Sequence, residues 1–310
     1  MNWNGLLLVD KPPGCTSHDV VDRVRKIFAM SAVGHSGTLD PLASGLMVVL
    51  LGNATKLSDF ILGQDKRYLV TVKFGWTTDS GDRDGQTLKE EDVQLTPEQV
   101  QAVLNELHGE MDLSVPIFSA TRVKGKKLYE YARAEKEVIA PVKRMRFYDI
   151  AQPRWYNGQL QVEVSCAKGG YIRSWVTALG QKLGVGATVM ELRRLQSAPY
   201  NVHEAITLEA LAERMSQPEA KNQLGPAFIG MNQALPGWHQ CSVKGREELL
   251  LRNGQISHDL TNRLIVVQKQ AHSSQTPVGV KVIGENGELL GLLEASLAQG
   301  LKIRRIFAQK

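Results

Sequence analysis

The chain is poor in cysteine and in long hydrophobic runs. Its 310 residues include three cysteines, Cys15, Cys166 and Cys241, which lie far apart and form no CxxC pair. This spacing argues against a disulfide framework and a thiolate zinc site. No apolar run approaches the roughly 18 residues of a membrane-spanning helix, and the first residues, MNWNGLLLVDKPPG, lack a secretory-signal pattern. We therefore expect a protein of the reducing cytoplasm with no membrane association.

Several common catalytic motifs are also missing from the sequence. It contains no Walker loop, no Rossmann glycine pattern, no HExxH and no GxSxG, so nucleotide-binding, zinc-protease and serine-hydrolase functions lose their usual support. The seven histidines do not cluster at metal-ligand spacing. A reaction that uses one acid, no cofactor and no metal fits what remains.

The composition is that of an ordinary globular protein with a mild basic excess. Hydrophobic residues make up 43% and charged residues 22% of the chain, and the formal net charge is +5. The length suggests one large or two moderate domains. The positive charge permits a polyanionic partner without proving one.

Apolar periodicity predicts a mixture of strands and helices. Strands are predicted at residues 5–9, 46–51, 66–76, 144–150, 160–166 and 189–196. Helices are predicted after Thr16 or Ser17, at residues 54–62, after the capping box that begins at Thr96, and at residues 171–183. Asn157-Gly158 is a hairpin-type turn signal. Because strands and helices do not alternate strictly, the pattern favours an α+β fold over a doubly wound sheet.

The carboxyl-terminal part has a different character. The apolar pattern loosens near residues 226–239, and short apolar runs follow at residues 264–267, 278–283, 289–293 and 301–307. Asn253-Gly254 and Asn286-Gly287 are turn signals between such runs. These features predict a boundary at 237/238 and a small, mostly β domain over residues 238–310.

A single carboxylate stands out in the stretch GHSGTLDPLASG, residues 34–45. Asp40 lies between Leu39 and Pro41, just before the apolar run at residues 46–51. Turn aspartates before proline are common and need no function. The alternative is a catalytic acid that a loop of glycines and proline holds rigidly. Since a buried carboxylate loses its charge without a cation or donors, an ionised Asp40 predicts an arginine partner.

Two other stretches supply possible partners of Asp40. In CAKGGYIRSW, residues 166–175, Arg173 falls in the first turn of a predicted helix among apolar neighbours. It is either a solvated helix residue or an inward-facing cation. Tyr68, in the strand KRYLVTVKFG, is either a core tyrosine or an aromatic plate for a nucleobase, with a phenol able to act as base or donor.

A basic stretch with interleaved aromatics is TRVKGKKLYEYAR, residues 121–133. Arg122, Lys124, Lys126 and Lys127 cluster beside Tyr129 and Tyr131. A charge run is usually a solvated face, but this combination also suits a phosphate backbone and unstacked bases. The final segment, LKIRRIFAQK, repeats the pattern with Arg304, Arg305 and Lys310.

Taken together, these motifs resemble the TruB family of bacterial tRNA pseudouridine-55 synthases along nearly the whole chain. GHSGTLDPLASG looks like the catalytic-aspartate loop of that family, and KPPGCTSHD like its amino-terminal motif. DKRYLVTVKFGWTTDSGD, KGKKLYEYAR, CAKGGYIRSW and MELRRL follow in the family order. The resemblance implies a mixed, mainly antiparallel sheet of the pseudouridine synthase type with flanking helices. The tail from about Trp238 is similar to a PUA domain, a small RNA-binding β-barrel.

The resemblance also implies roles for individual residues. Asp40 would be the catalytic acid, Tyr68 would stack on the target uracil, and Arg173 would pair with Asp40. His35, Tyr171 and Leu192 match positions that line the substrate pocket or wedge into the RNA loop. The insertion around residues 112–146 would grip the RNA. No cofactor, guide RNA or protein partner would be needed, and a monomer acting on the tRNA T-arm is expected.

Some positions depart from the family pattern. Ser36 and Ser44 replace threonines, Gly170 replaces the usual threonine before Tyr171, and Arg122 stands where lysine is usual. The segment at residues 114–118 is one residue shorter than the family pattern. Leu195 and Ala198 stand where the family usually has a threonine and a glycine. These changes concern RNA-loop contacts and leave the proposed acid, plate and cation in place. The alternatives are a non-catalytic RNA-binding or RNA-folding module, and a guide-RNA-dependent relative that shares the aspartate loop.

Overall fold

The computed structural model describes residues 3–134, 136–156, 158–217, 223–296 and 299–307. The strands are, in chain order, β1 (Gly5–Lys11), β2 (Val33–His35), β3 (Ser44–Leu51), β4 (Lys66–Phe74), β5 (Trp76–Thr78), β6 (Thr87–Glu90), β7 (Gly109–Ser114), β8 (Arg122–Val123), β9 (Lys126–Lys127), β10 (Val142–Tyr156), β11 (Gln159–Cys166), β12 (Ala187–Ser197), β13 (Tyr200–Asn201), β14 (Ile206–Thr207), β15 (Phe228–Gly230), β16 (His239–Ser242), β17 (Val278–Ile283), β18 (Leu289–Ser296) and β19 (Gly300–Ile306). The helices are α1 (Ser17–Phe28), α2 (Ser58–Leu62), α3 (Pro97–Glu106), α4 (Leu128–Arg133), α5 (Ile172–Leu183), α6 (Leu208–Met215), α7 (Arg246–Arg252), α8 (His258–Arg263) and α9 (Ile265–Ser274).

One large sheet organises most of the molecule. Its main path is β14-β1-β3-β12-β4-β11-β10-β7, with β2, β13 and β15 attached at the side. Neighbours on this path are antiparallel except for the parallel pairs β1·β14 and β3·β12. The predicted mixed, mainly antiparallel sheet of an α+β fold is therefore confirmed.

Most of the local predictions are confirmed as well. Thr16 and Thr96 each form a capping box, and helix α5 starts one residue after Tyr171. The predicted strand at residues 66–76 is interrupted at Gly75, whose φ of +73° ends β4 before β5 begins. The predicted helix at residues 54–62 is divided into a 3₁₀ turn, Gly52–Leu57, and α2. Asn157 of the predicted turn lies outside the described residues.

Strands β1 and β3 are covered on both faces, which explains their continuous apolar sequences. Leu7, Val9 and the residues of the same face of β3 pack against α1 and α6. On the other face, Leu6 and Leu8 pack in a second cluster with side chains of the carboxyl-terminal part. Strands that are buried on both faces lack polar alternation. The apolar run at residues 46–51 is therefore part of a fully buried strand, and the loop that carries Asp40 leads directly into it.

The carboxyl-terminal part contains more helix than predicted. Strands β16–β19 form a row of four, but α7, α8 and α9 precede β17. The apolar run at residues 264–267, which was counted toward a mostly β domain, leads into α9 instead, because Leu260, Leu264, Val267 and Ala271 recur at helical spacing and bury one face of this helical segment. The described strands form no closed barrel, so the PUA-like barrel remains a prediction.

The carboxyl-terminal sheet shares a core with the large sheet. Phe307, Leu289 and Leu292 belong to the same buried cluster as Leu6 and Leu50. Phe60 of α2 meets Trp238 edge-on, with ring centroids 5.3 Å apart. The parts on the two sides of the predicted 237/238 boundary therefore pack against each other, and the boundary itself stays a prediction. Within the described ranges, no helix combines the length and the apolarity that crossing a lipid bilayer requires.

Replacing Phe307 with alanine should lower the free energy of unfolding by about 3–5 kcal/mol, because it leaves a cavity in this shared core. Denaturant titration of the full chain measures the change. Lys302→Ala, an exposed substitution on β19, which ends just before Phe307, is the matched control and should stay within about 0.5 kcal/mol. Equal stabilities of the two variants would contradict the shared core.

Candidate active site

The loop that carries Asp40 is held from the amino-terminal motif. The hydroxyl of Ser17 accepts from the Leu39 N–H at 2.8 Å and donates to the Leu39 carbonyl at 3.0 Å. The ammonium of Lys11, which is fully buried, donates to the Ala43 carbonyl at 2.6 Å and to the Pro41 carbonyl at 3.3 Å. Backbone carbonyls on both sides of the turn are therefore fixed, and Asp40 is presented at the start of β3.

Gly45 allows β3 to approach β12 closely at this point. Its φ is +98°, and a Cβ atom there would lie 2.3 Å from the Arg194 carbonyl oxygen. A side chain would separate the parallel pair β3·β12. Arg194 is itself buried and donates to the Leu46 carbonyl at 2.6 Å. The close approach brings Arg194 beneath the aspartate loop.

The predicted partner of Asp40 is confirmed. Arg173 Nη2 lies 2.9 Å from Asp40 Oδ2, and the side chain of Arg173 is only 4% exposed against 33% for Asp40. The guanidinium also donates to the carbonyls of Ser80 at 3.0 Å and Phe118 at 2.8 Å. A buried arginine needs such partners for its donors. The helix arginine therefore faces inward.

A second carboxylate reaches the same guanidinium. Asp82 Oδ2 lies 3.6 Å from Arg173 Nη1, and Ser80 Oγ donates to Asp82 Oδ1 at 2.7 Å. Asp82, in the stretch TDSGDRDG at residues 78–85, was not among the residues that the sequence indicated. The feature of the sequence that could have indicated Asp82 is the group of aspartates that follows β4 and β5. Arg173 is thus shared between two carboxylates.

The pKa of Asp40 is raised above its ordinary value. Burial is the largest cause, and the nearby charge of Asp82 acts in the same direction. The ion pair with Arg173 lowers the pKa and so opposes both effects. The ionised form of Asp40 consequently depends on the guanidinium beside it.

Tyr68 lies buried on β4, where it pairs in register with Arg194 of β12. Burial raises the pKa of its phenol to about 12, although Arg194 acts against this shift. The phenol is therefore protonated at neutral pH. Of the two chemical roles considered from the sequence, hydrogen-bond donation suits this state better than proton abstraction.

These groups meet in one cavity of about 420 Å³. Asp40, Tyr68, Tyr171, Arg173 and Leu192 all line it, so five of the predicted site residues come together. This volume lies in the usual range for pockets that bind small molecules, and is large enough for a nucleotide. The sequence did not single out Lys66, Lys168 and Arg194, which line the same cavity.

The other predicted residues lie elsewhere. His35 stands on β2 opposite Val49, outside the residues that line the cavity. Arg122, Lys124, Lys126 and Lys127 form the β8–β9 hairpin. Arg304 and Arg305 lie on β19, where Arg304 approaches Glu294 at 3.7 Å. Lys310 lies outside the described residues.

The chain is similar to a known protein family and to curated proteins. It matches the family described as "TruB family pseudouridylate synthase (N terminal domain)" over residues 25–172, and "tRNA pseudouridylate synthase B C-terminal domain" over residues 173–235. It is 45% identical over 307 residues to tRNA pseudouridine synthase B of Bdellovibrio bacteriovorus, covering 98% of this chain and 97% of that protein. The chain belongs to the TruB family. Its identity to tRNA pseudouridine synthase B of Escherichia coli (strain K12) is 36% over 299 residues, covering 94% and 91% of the two chains.

Solved structures extend the likeness of this TruB-family chain to the fold. An H/ACA ribonucleoprotein bound to a substrate RNA containing 2′-deoxyuridine includes a chain with a TM-score of 0.67 and 20% identity. That match covers 98% of this chain and 85% of the other. A Cbf5–Nop10–Gar1 complex gives a TM-score of 0.66 at 23% identity, with coverages of 99% and 84%. The expected pseudouridine synthase type of fold is thereby confirmed.

Arg173→Met should raise the pKa of Asp40 further, because it removes the cation that favours the carboxylate. Asp40 would then become charged only at a higher pH than in the unaltered chain. A ¹³C NMR titration of the aspartate carboxyls measures the shift. Arg193→Met is the control, because it removes a guanidinium 2.7 Å from Asp10. It should leave the pKa of Asp40 unchanged. An Asp40 titration that is the same in all three proteins would refute the dependence on Arg173.

Proposed function

We propose that this TruB-family chain isomerises uridine 55 in the T-arm of tRNA to pseudouridine without a guide RNA. The curated relatives at 36–45% identity are named tRNA pseudouridine synthase B and match over nearly their whole length. The observation that carries the proposal is the Asp40–Arg173 pair at 2.9 Å in a cavity that Tyr68 also lines. A carboxylate, a cation that keeps it charged and an aromatic ring are what the reaction requires.

The chemistry is an internal rearrangement. The N1–C1′ bond of uridine breaks, the free uracil turns, and C5 bonds to C1′ while C5 loses a proton and N1 gains one. No atom is gained and no electron is transferred, so the reaction requires no cofactor. Asp40 can attack the sugar or the base, or assist departure of uracil through a glycal. Each route requires the ionised form, which Arg173 favours.

The cavity has to retain the detached base. A stacked or paired uridine cannot enter it, so the nucleotide flips out at a cost of a few kcal/mol. Tyr68 supplies a ring face and a protonated phenol, and Leu192 supplies an apolar contact. Together with Tyr171 they would exclude water while the uracil turns.

The β8–β9 hairpin is suited to hold the RNA backbone. Lys124 and Gly125 form its turn with φ angles of +48° and +83°, a combination typical of a type I′ hairpin. Lys124 and Lys126 are exposed at the tip, and the ammonium of Lys127 lies 5.3 Å from the ring centroid of Tyr129. Within the described part of the chain, none of the four hairpin cations pairs with a carboxylate. They are available to phosphates.

The carboxyl-terminal sheet is proposed to assist RNA binding without supplying catalytic groups. Arg304 and Arg305 are exposed on β19, next to Lys302. These cations lie along a cavity of about 350 Å³ that Asp59 and Phe60 of α2 complete. A PUA-like role would use this basic strand as a second contact to the RNA backbone.

The protein would act in the cytoplasm as a monomer.

The unaltered chain, incubated alone with an unmodified tRNA transcript, should form pseudouridine at position 55, as mapped by sequencing. Asp40→Asn should abolish the product and keep tRNA affinity within a few fold, because the amide keeps the shape and loses the charge. Asp92→Asn, at an exposed aspartate outside the active-site cavity, is the matched control. Tight tRNA binding without product would favour the RNA-binding module, and product only with a guide RNA would favour the guide-dependent alternative.

Replacing Lys124, Lys126 and Lys127 together with alanine should weaken tRNA binding and flatten its salt dependence. Each phosphate contact that is lost should reduce the slope of log K against log salt by roughly 0.7–0.9 units. Single-turnover chemistry at saturating enzyme should change little, since none of the three lines the cavity. Affinities at several salt concentrations decide the matter, and parallel lines for the two proteins would exclude the hairpin from the RNA surface.

A further inference from the structure

Helix α5 and the segment that leads into the basic hairpin are joined at three points. Ser174 Oγ donates to the Ser114 carbonyl at 2.7 Å, and Arg173 Nη2 donates to the Phe118 carbonyl at 2.8 Å. At the third point, the hydroxyls of Tyr171 and Thr121 share a hydrogen bond of 3.0 Å. The first two contacts use backbone carbonyls that any residue provides. Only the third depends on which side chain the segment carries.

Thr121 stands at the base of the hairpin. It directly precedes Arg122, the first hairpin cation, and its carbonyl accepts from the Leu128 N–H at 2.8 Å on the far side of the hairpin. The ammonium of Lys143 approaches the Thr121 hydroxyl at 3.4 Å. Any movement of the hairpin base would therefore move the hydroxyl that Tyr171 contacts.

The Tyr171 ring packs partly buried against the core cluster, but the backbone that leads to it is made of glycines. It follows Gly169 and Gly170, and Gly169 has a φ of +84°, so the approach to the helix lacks side chains that could pack. As the residue before α5, Tyr171 forms no side-chain cap to the helix. The phenol nevertheless lines the cavity together with Asp40 and Tyr68. The core holds the ring, and the hydrogen bond to Thr121 orients the phenol hydroxyl in the cavity.

We propose that Thr121 is a positioning residue that couples the basic hairpin to the wall of the cavity. The backbone at the base of the hairpin would fix Thr121, and Thr121 would hold the Tyr171 phenol against the flipped uridine. Thr121 itself takes no part in bond breaking. The inference rests on the proposed function, because it assigns the coupling to the same site and the same RNA.

A double-mutant cycle tests the coupling on the full chain with a tRNA transcript. Thr121→Val and Tyr171→Phe should each lower the single-turnover rate at saturating enzyme by roughly two- to tenfold, the usual range for one hydrogen bond. The double variant should be no slower than either single variant, because both changes remove the same contact. Affinity for tRNA should stay within about twofold, since neither hydroxyl is a phosphate contact. Thr121→Ser, which keeps the hydroxyl, should restore the rate.

Thr55→Val is the matched control, because the Thr55 hydroxyl donates to the Gly52 carbonyl at 2.8 Å outside the cavity, and its rate should equal that of the unaltered chain. Independent, multiplicative losses in the double variant would overturn the coupling. So would a Thr121→Val protein with full activity, or a Thr121→Ser protein as slow as Thr121→Val. In each of these cases an active unaltered chain would leave the proposed function standing. An unaltered chain that forms no pseudouridine would overturn both.

Discussion

The buried guanidinium of Arg173 is the interaction on which the rest of the site depends. Two carboxylates, Asp40 and Asp82, and the carbonyls of Ser80 and Phe118 surround it. Removing one partner of such a buried pair commonly costs 3–5 kcal/mol, because the remaining charge is left without compensation. Arg173 therefore fixes the aspartate loop, the loop after β5 and the segment before the basic hairpin relative to one helix.

Two further buried cations complete this arrangement. Lys11 donates to carbonyls of the aspartate loop, and Arg194 donates to the Leu46 carbonyl at the start of β3. Burial lowers the pKa of Lys11, while the charge of Asp40 acts in the opposite direction. The backbone around Asp40 is thus held by side chains from β1 and β12. A rigid frame of this kind reduces the motion of a catalytic group before the substrate arrives.

The basic β8–β9 hairpin and the cavity are connected through helix α5. The β8–β9 hairpin lies in the connection between the paired strands β7 and β10. Helix α5 holds the start of this connection through the hydrogen bond from Ser174 to the Ser114 carbonyl. Under the proposed function, exposed cations would supply RNA affinity, while bond breaking would take place among the groups that line the cavity. The shared core between β1, β3 and the carboxyl-terminal sheet gives the second basic strand a fixed place relative to the same cavity.

Local patterns in the sequence determined much of the fold and the central pair of the site. Thr16 or Ser17 predicted the start of the first helix and the capping box at Thr96 predicted the start of α3, where the structure has Thr16 and Thr96 as the caps. Asp40 and Arg173 stood out as charged residues in rigid or apolar surroundings. The apolar run at residues 264–267 contributed to the expectation of a mostly β domain because such a run fits a strand as well as a buried helix, and only packing against the carboxyl-terminal sheet decides between them. Asp82, Lys11 and Arg194 could not be assigned to the site, since each looks like an ordinary turn or strand residue. Their roles arise when strands distant in sequence become neighbours: β3 beside β12 brings Arg194 under the loop, and α5 brings Arg173 between two aspartates. Local propensity is encoded residue by residue, whereas such charge neighbours exist only once the long-range sheet has formed.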